Sequence, residues 1–415
     1  MKAVIVGRGI AGMSAAAALA DYCEQITVID KDIRPSPVAT RKYVPQGAHI
    51  SILLKAGLDI LCEFYPGLDR DLMNAGASRI NAGCDQQVFE YGAWRMTRPL
   101  DLEFIGISRL LLESVLYERF LSLSNVQSLQ AQVTGLKIES GRVKGVECGE
   151  RTATIEADLV VDASGVGGVL SKWLNKHAGQ SIPTDRSPIH IFYSTVHFKK
   201  PVQFLTQKEN ILIVPEAGVS NLGGSLLDVE NDSWCVSLHG RDREPVPKTM
   251  AEWYDSIASL PDDRIWQRVK EAEPSSGLQT FKKSHAIWRR FDQCQEQLPK
   301  GYLPLGDAVN SLNPIFGQGM TIALGHCLAL KQSLANGEIS AENFATQNYY
   351  IQALRWTEKA WKKSAAFDKN FFSESAQDEK RIELVRKLTA AQHKKVAESP
   401  DFHLQILKEA QMLTI

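Results

Sequence analysis

Short apolar runs broken by glycine-rich turns open the chain. Ala3–Val6 reads as a strand, Gly7-Arg8-Gly9-Ile10-Ala11-Gly12 as a turn, and the alanine-rich Met13–Ala20 as a helix. Ile26–Ile29 is a second apolar strand that ends at Asp30. Ser51–Phe64 has helical apolar spacing and stops at Pro66-Gly67. Ser108–Leu121 predicts another helix, followed by strand pieces over Val133–Ile138 and Val143–Glu147. Leu159–Val161 is an apolar strand running into Asp162-Ala163-Ser164-Gly165. The texture changes after Pro183. Ile189–Phe198, Ile211–Val214, Leu222–Val229 and Trp234–Leu238 mix β-branched and aromatic residues between turns, which predicts an antiparallel sheet. Thr249–Leu260 and Asp262–Ala272 read as helices beside it, and Tyr302–Leu305 as a strand leading into Gly306-Asp307. From about Gly337 the pattern is helical and charged, with no chemical motif.

Composition narrows the function classes. The 415 residues carry 47 Lys+Arg against 48 Asp+Glu, so no basic surface for nucleic acid is expected. Usage is otherwise ordinary for a globular chain, and the length calls for two or three packed units. Seven scattered cysteines form no CxxC pair, which argues against a zinc ribbon and suits reduced thiols. The N-terminal apolar run is too short for a secretory signal. The uncharged stretch between Asp307 and Lys331 holds Asn310, Asn313, Pro314, Gly317, Gln318 and Gly319, so it reads as a loop entering a helix and not as a membrane span. A soluble cytoplasmic protein is the expectation. No HExxH or GxSxG occurs, which removes zinc protease and α/β-hydrolase chemistry, and no metal site is expected.

The first turn has the placement a dinucleotide site requires. Gly7 lets the chain turn after the strand, Gly9 lets a pyrophosphate approach the backbone, and Gly12 lets helix pack on strand. Free N–H groups at the helix start favour the anion. Asp30, at the end of the second strand, suits ribose hydroxyls and would repel a 2′-phosphate. Arg8 is expected to face solvent.

Two distant segments add to this turn: Ala157–Gly165, and Gly301-Tyr302-Leu303-Pro304-Leu305-Gly306-Asp307-Ala308 continuing to Asn313-Pro314-Ile315-Phe316-Gly317-Gln318-Gly319-Met320. In these blocks the chain resembles flavoprotein monooxygenases of the para-hydroxybenzoate hydroxylase fold, over about residues 1 to 335. Arg41-Lys42-Tyr43-Val44-Pro45-Gln46-Gly47-Ala48-His49-Ile50, Leu53-Leu54 and Tyr65-Pro66-Gly67 look like the branch that holds bacterial polyether epoxidases. The resemblance implies an α/β fold in which a Rossmann-type FAD-binding domain (1–75, 100–180 and 280–335) carries an antiparallel-sheet substrate domain (76–99 and 181–279) and a helical C-terminal region (336–415). It also implies that Asp307, after Gly306, binds a ribityl hydroxyl. Pro314, Gly317, Gly319 and Met320 would lie against the flavin ring, with a helix starting near Met320 aimed at it. Arg109 and Arg41 match cofactor-side arginines, and Val133 matches a backbone contact to adenine.

The resemblance implies that reduced FAD and oxygen form a flavin hydroperoxide, which passes one oxygen atom to an apolar organic substrate by epoxidation or hydroxylation, as in natural-product biosynthesis. The family's Asp-Gly pair is Ser164-Gly165 here, and Gly165-x-Gly167-x-x-Leu170 is no second nucleotide turn. The electron source is therefore NAD(P)H bound transiently or a partner flavin reductase. No catalytic side chain is assigned. His49, His197 and His239 are candidate bases that read better as structural histidines. Phe89, Trp94, Phe192, Tyr193, Phe198 and Trp234 are candidate pocket aromatics or packing residues. Alternatives are a flavin-dependent reductase or dehydrogenase of prenyl-type substrates, a flavin halogenase (whose WxWxIP segment is absent), and a non-enzymatic flavin-binding partner protein.

Overall fold

The computed structural model describes the chain apart from residues 37–40, 43, 150–152, 180, 242–243, 373–375 and 415. Tyr43 of the Arg41–Ile50 segment thus lies outside the described residues. The expected strand–turn–helix–strand unit forms as Lys2–Val6, Ile10–Leu19 and Gln25–Asp30. It belongs to a five-stranded parallel sheet in the spatial order Tyr302–Pro304, Leu159–Asp162, Lys2–Val6, Gln25–Asp30, Val126–Gln130. Val4, Ile5, Val160, Val161 and Leu303 are almost fully buried, as strands covered on both faces must be.

The second part is an eight-stranded sheet whose centre is the long Thr184–Lys199 strand, paired antiparallel with Ser233–Arg241 on one side and Gln279–Arg289 on the other. One pairing is parallel: Asn210–Ile213 lies beside Gln86–Glu90, so the sheet is mixed where wholly antiparallel pairing was expected. Phe192, Val196, Phe198, Trp234, Leu238 and Val236 pack with Trp253, Ile257 and Ile265 from the helices Met250–Ala258 and Arg264–Val269. Asn310–Ser311 joins the outer edge of Gln279–Arg289, so the segment after Asp307 is stitched onto this sheet.

Two helix starts shift from expectation. Ser51–Leu54 is extended, with Leu53 bridged to Ile105, and the helix covers Lys55–Phe64. Its first two amide N–H groups donate to Gln411, Lys55 to the side chain (2.8 Å) and Ala56 to the backbone carbonyl (3.2 Å). The helix Arg109–Leu121 is capped by Ser108, whose hydroxyl accepts from the Leu111 amide. The tail forms the helices Gln347–Lys369, Ala376–Glu398 and Pro400–Ala410. No helix among the described residues is long and apolar enough to cross a membrane.

Candidate functional site

The carboxyl ends of the five parallel strands lie at one edge of the sheet, where open α/β sheets hold ligands. Gly7 has φ +108°, and a Cβ there would lie 2.3 Å from the Ala163 carbonyl oxygen. That contact sets the first turn directly against the Asp162–Gly165 segment. A Cβ on Gly12 would lie 1.9 Å from the Gly7 carbonyl oxygen, the close helix–strand approach expected of it. A Cβ on Gly9 would meet no atom within 4 Å. The protein therefore does not require glycine at position 9, whereas a bulky anion pressed on the backbone would. The helix that follows has no side-chain cap, so its first N–H groups are available to that anion.

Asp30 closes the second strand with both oxygens engaged: Oδ2 accepts from the Arg8 amide (2.6 Å) and Oδ1 from the Asp32 amide (2.8 Å). A carboxylate has about four acceptor positions, so capacity for ribose hydroxyls remains. Arg8 does not face solvent. Its side chain is 4% exposed, lies over the Tyr117 ring and donates to Ser128 and to the Asp32 carbonyl. The guanidinium braces the turn from below, which a residue read only as the variable position of a motif does not reveal. Val133 starts a strand two residues beyond Ala131, whose amide donates to the Asp30 carbonyl (2.9 Å), so it stands at the same corner.

Arg41 and Arg109 come together through a residue the sequence did not single out. Glu113, 4% exposed, accepts from Arg41 Nη2 (2.7 Å) with one oxygen and from Arg109 Nε (2.9 Å) with the other. Arg41 also lies 3.7 Å from Asp30, and its Nε and Nη1 are buried without a hydrogen-bond partner among the described residues. A small cleft opens beside them, between Ser36, Gly47 and Leu110. The i, i+4 spacing of Arg109 and Glu113 was a visible signal, though one shared with ordinary surface pairs.

Gly306 has φ +60°, and a Cβ there would sit 3.2 Å from both Ala11 and Ala323. This packing brings the late segment onto the first helix, and Cys327 Sγ reaches the Ala11 carbonyl at 3.4 Å. The Gly306 amide donates to the buried His326 (3.1 Å), which is bonded in turn to Thr357. Neither residue was anticipated. The Asp307 carboxylate accepts no hydrogen bond from the described residues. Burial pushes it above the usual carboxylate range, while Lys283, Arg109 and Arg289 pull it down. The residue is half-buried, so its acceptor positions stay open to solvent or to a ligand.

Asn313–Met320 continues from there. Pro314–Phe316 is a single 3-10 turn ended by Gly317 at φ +63°, and the helix Gly319–Ala335 starts without a side-chain cap. Pro314 and Gly319 are exposed, and a Cβ on Gly319 would meet nothing within 4 Å. Met320 is buried in the main core.

Facing this loop is one side of the large sheet. Tyr193 stands opposite His239 and Phe281, and Thr195 opposite Ser237. His49 Nδ1 bonds to Thr195 Oγ1 (2.7 Å), Thr195 to Ser237 (2.5 Å), and His239 Nε2 to Ser225 (3.2 Å). Burial pushes His49 down to about 4 and His239 to about 3, and lowers His197, so these imidazoles are neutral near pH 7. They are poor bases there, in keeping with a structural role. The Tyr193 hydroxyl is buried without a partner among the described residues. Of the six pocket aromatics, Phe192, Phe198 and Trp234 belong instead to the core under the helices, and Phe89 and Trp94 pack against it. Strand alternation sends them to the opposite face from Tyr193.

The family described as FAD binding domain matches residues 1–364. The chain belongs to that family. It is thus an FAD-binding oxidoreductase of the monooxygenase family, built on the para-hydroxybenzoate hydroxylase-like fold. It is 32% identical over 410 residues to Protein Rv3254 of Mycobacterium tuberculosis, a match covering 90% of this chain and 81% of that one. Among solved structures it is similar to the flavin-dependent brominase Bmp2 (TM-score 0.69, 15% identity, 99% and 94% of the two chains). It is also similar to Pseudomonas aeruginosa PqsL in complex with 2-aminobenzoylacetate (0.66, 15%, 90% and 95%) and to 2-methyl-3-hydroxypyridine-5-carboxylic acid oxygenase (0.65, 16%, 89% and 91%). At these identities the likeness extends to the fold alone.

Proposed function

We propose that this protein is a monooxygenase that uses FAD to place one atom of molecular oxygen on an apolar organic substrate, by epoxidation or hydroxylation, in secondary metabolism. The observation that carries the reading is the pairing of two features at one sheet edge. These are the glycine turn, whose Gly9 is unconfined by the described residues, and Asp307, whose carboxylate accepts from no donor among them. An elongated dinucleotide satisfies both.

FAD, once bound and reduced, supplies the activation of oxygen. This chain's residues do the rest. Amides of the first turn hold the pyrophosphate, with Gly7 and Gly12 shaping that turn. Asp30 takes the adenosine ribose, and the Val133 backbone flanks the adenine. Arg41 and Arg109, held by Glu113, lie along the cofactor. Asp307, set by Gly306, takes a ribityl hydroxyl. The turn from Pro314 through Gly317 and Gly319 to Met320 brings backbone and an uncapped helix start to the ring. Residues 76–99 and 181–279 form the substrate unit, whose inner face offers Tyr193 and uncharged histidines. Tyr193 and Phe281 give that face aromatic surface beside its polar Thr195, Ser237 and histidines, which suits an organic substrate oriented by a few polar groups. The likeness of Arg41–Ile50 to polyether epoxidases favours an alkene. Electrons come from NAD(P)H bound transiently or from a partner reductase, given Ser164 beside Gly165.

The test is turnover under isotopically labelled oxygen with a panel of alkenes and phenols. Product carrying one labelled atom is the expected result. Substrate that gains or loses hydrogen with no label would make the protein a reductase or dehydrogenase. Slow anaerobic reduction by NADPH alone is expected, and fast reduction would remove the need for a partner.

A further inference from the structure

The helix Gln347–Lys369 carried no legible motif, yet its last turn reaches the loop proposed to meet the flavin. Asp368 is 0% exposed. Its Oδ1 accepts from Arg241 Nη2 of the large sheet (2.8 Å) and from Asn313 Nδ2 (2.6 Å), and its Oδ2 accepts from Ser364 (3.3 Å). Asn313 then uses its own Oδ1 to accept from the Ile315 amide (3.1 Å), the first step of the Pro314–Phe316 turn. A carboxylate only accepts, whereas an amide side chain has a donating and an accepting end. Asp368 therefore fixes which end of Asn313 faces the helix and which faces the loop.

Neighbouring contacts act in the same direction. Phe367 meets Phe316 edge-on, with centroids 5.3 Å apart. Lys283 holds the preceding residues through Ser311 Oγ (2.7 Å) and the Leu312 carbonyl (2.6 Å). Arg241 is fixed by its bond to the Ile189 carbonyl (3.0 Å) and lies 3.8 Å over the Phe371 ring. Buried ion pairs add little net stability compared with apolar packing, so what this cluster supplies is geometry and a balanced charge.

We infer that Asp368 is a positioning residue: it orients Asn313, and through it the Asn313–Gly319 loop, and it cancels the charge of Arg241 beside that loop. This rests on the loop being the flavin-ring contact. The function reading fails separately if the wild-type protein binds no FAD at all.

The experiment titrates FAD into wild-type protein, D368N, the double variant R241M/D368L, N313A and the control E358Q, an exposed position on the same helix. Affinity, the visible flavin spectrum, the reduction potential and the melting temperature are recorded. D368N should bind FAD about tenfold or more weakly, the loss expected for one hydrogen bond to a charged group. Its potential should move to more positive values, because uncompensated Arg241 favours the electron-rich reduced cofactor. R241M/D368L should return the potential to that of wild type without recovering affinity. N313A should lose affinity with no change of potential, and E358Q should match wild type. Should D368N fail to fold, N313A and the double variant carry the test. Wild-type affinity in N313A, or wild-type affinity, spectrum and potential in folded D368N, would overturn the inference.

Discussion

At the carboxyl ends of the parallel strands the work is done by backbone. On the inner face of the large sheet it is done by side chains. In the first region a Cβ on Gly7 would meet a carbonyl oxygen of the adjacent strand's end and one on Gly12 a carbonyl oxygen of its own turn, while one on Gly9 would meet no described atom within 4 Å. The second joins His49 to Thr195, Thr195 to Ser237, and Arg241 to Asp368, across separations of 146, 42 and 127 residues. A local constraint marks the sequence at a fixed spacing. A network assembled by topology leaves single polar residues inside apolar strands, each resembling ordinary composition.

The sharpest way to break this contrast lies within the first region. Gly12→Val puts a Cβ 1.9 Å from a carbonyl oxygen and should destabilise the fold by about 3 kcal/mol or more, seen as a lowered melting temperature. Gly9→Val should melt like wild type, since no described atom confines that position, yet lose FAD binding if the proposed pyrophosphate site is right. Equal melting losses for the two would erase the distinction between a packing glycine and a ligand glycine. Next in size is Glu113→Ala, which leaves Arg41 only the more distant Asp30 and removes the partner of the partly exposed Arg109. A loss of about 2 kcal/mol in denaturant unfolding is expected for removing hydrogen bonds to charged groups. Asp307→Asn is the converse case. Burial already disfavours its charge, so stability should hold or rise while FAD affinity falls about 10- to 100-fold in titration.

The second region should respond to acid. His49 and His239 titrate near 4 and 3 when folded against about 6.5 when unfolded, so the unfolded chain binds protons first. Stability should therefore be full above pH 6.5 and decline as the pH falls from 6.5 through 4. His49→Gln and His239→Gln should each flatten that slope in melts taken across the range, and an unchanged slope would argue that the imidazoles are hydrated. The smallest effect is expected of Tyr193→Phe. Removing an unpartnered buried hydroxyl should leave the melting temperature within about a degree or raise it slightly. A change in KM with no change in FAD affinity would place that hydroxyl against the substrate.

Much of the fold was legible because strand tips and turns advertise themselves. The paired strands, the helix capped by Ser108 and the glycine turns all follow from spacing that is local in the chain. Arg8 was misread because nothing near it in sequence announces Tyr117, Ser128 and Asp32 as its partners. The pocket aromatics were overcounted because composition cannot say which face of a strand a residue takes; a shift of one position separates Phe192 in the core from Tyr193 on the inner face. Glu113 and Asp368 were missed since a single acid on a charged helix looks solvated until the arginines it meets are placed.

The Gln411 contact has a practical corollary. Two amides at the start of the Lys55–Phe64 helix depend on it, so cutting the chain after Ala410 would fray a segment more than three hundred residues upstream.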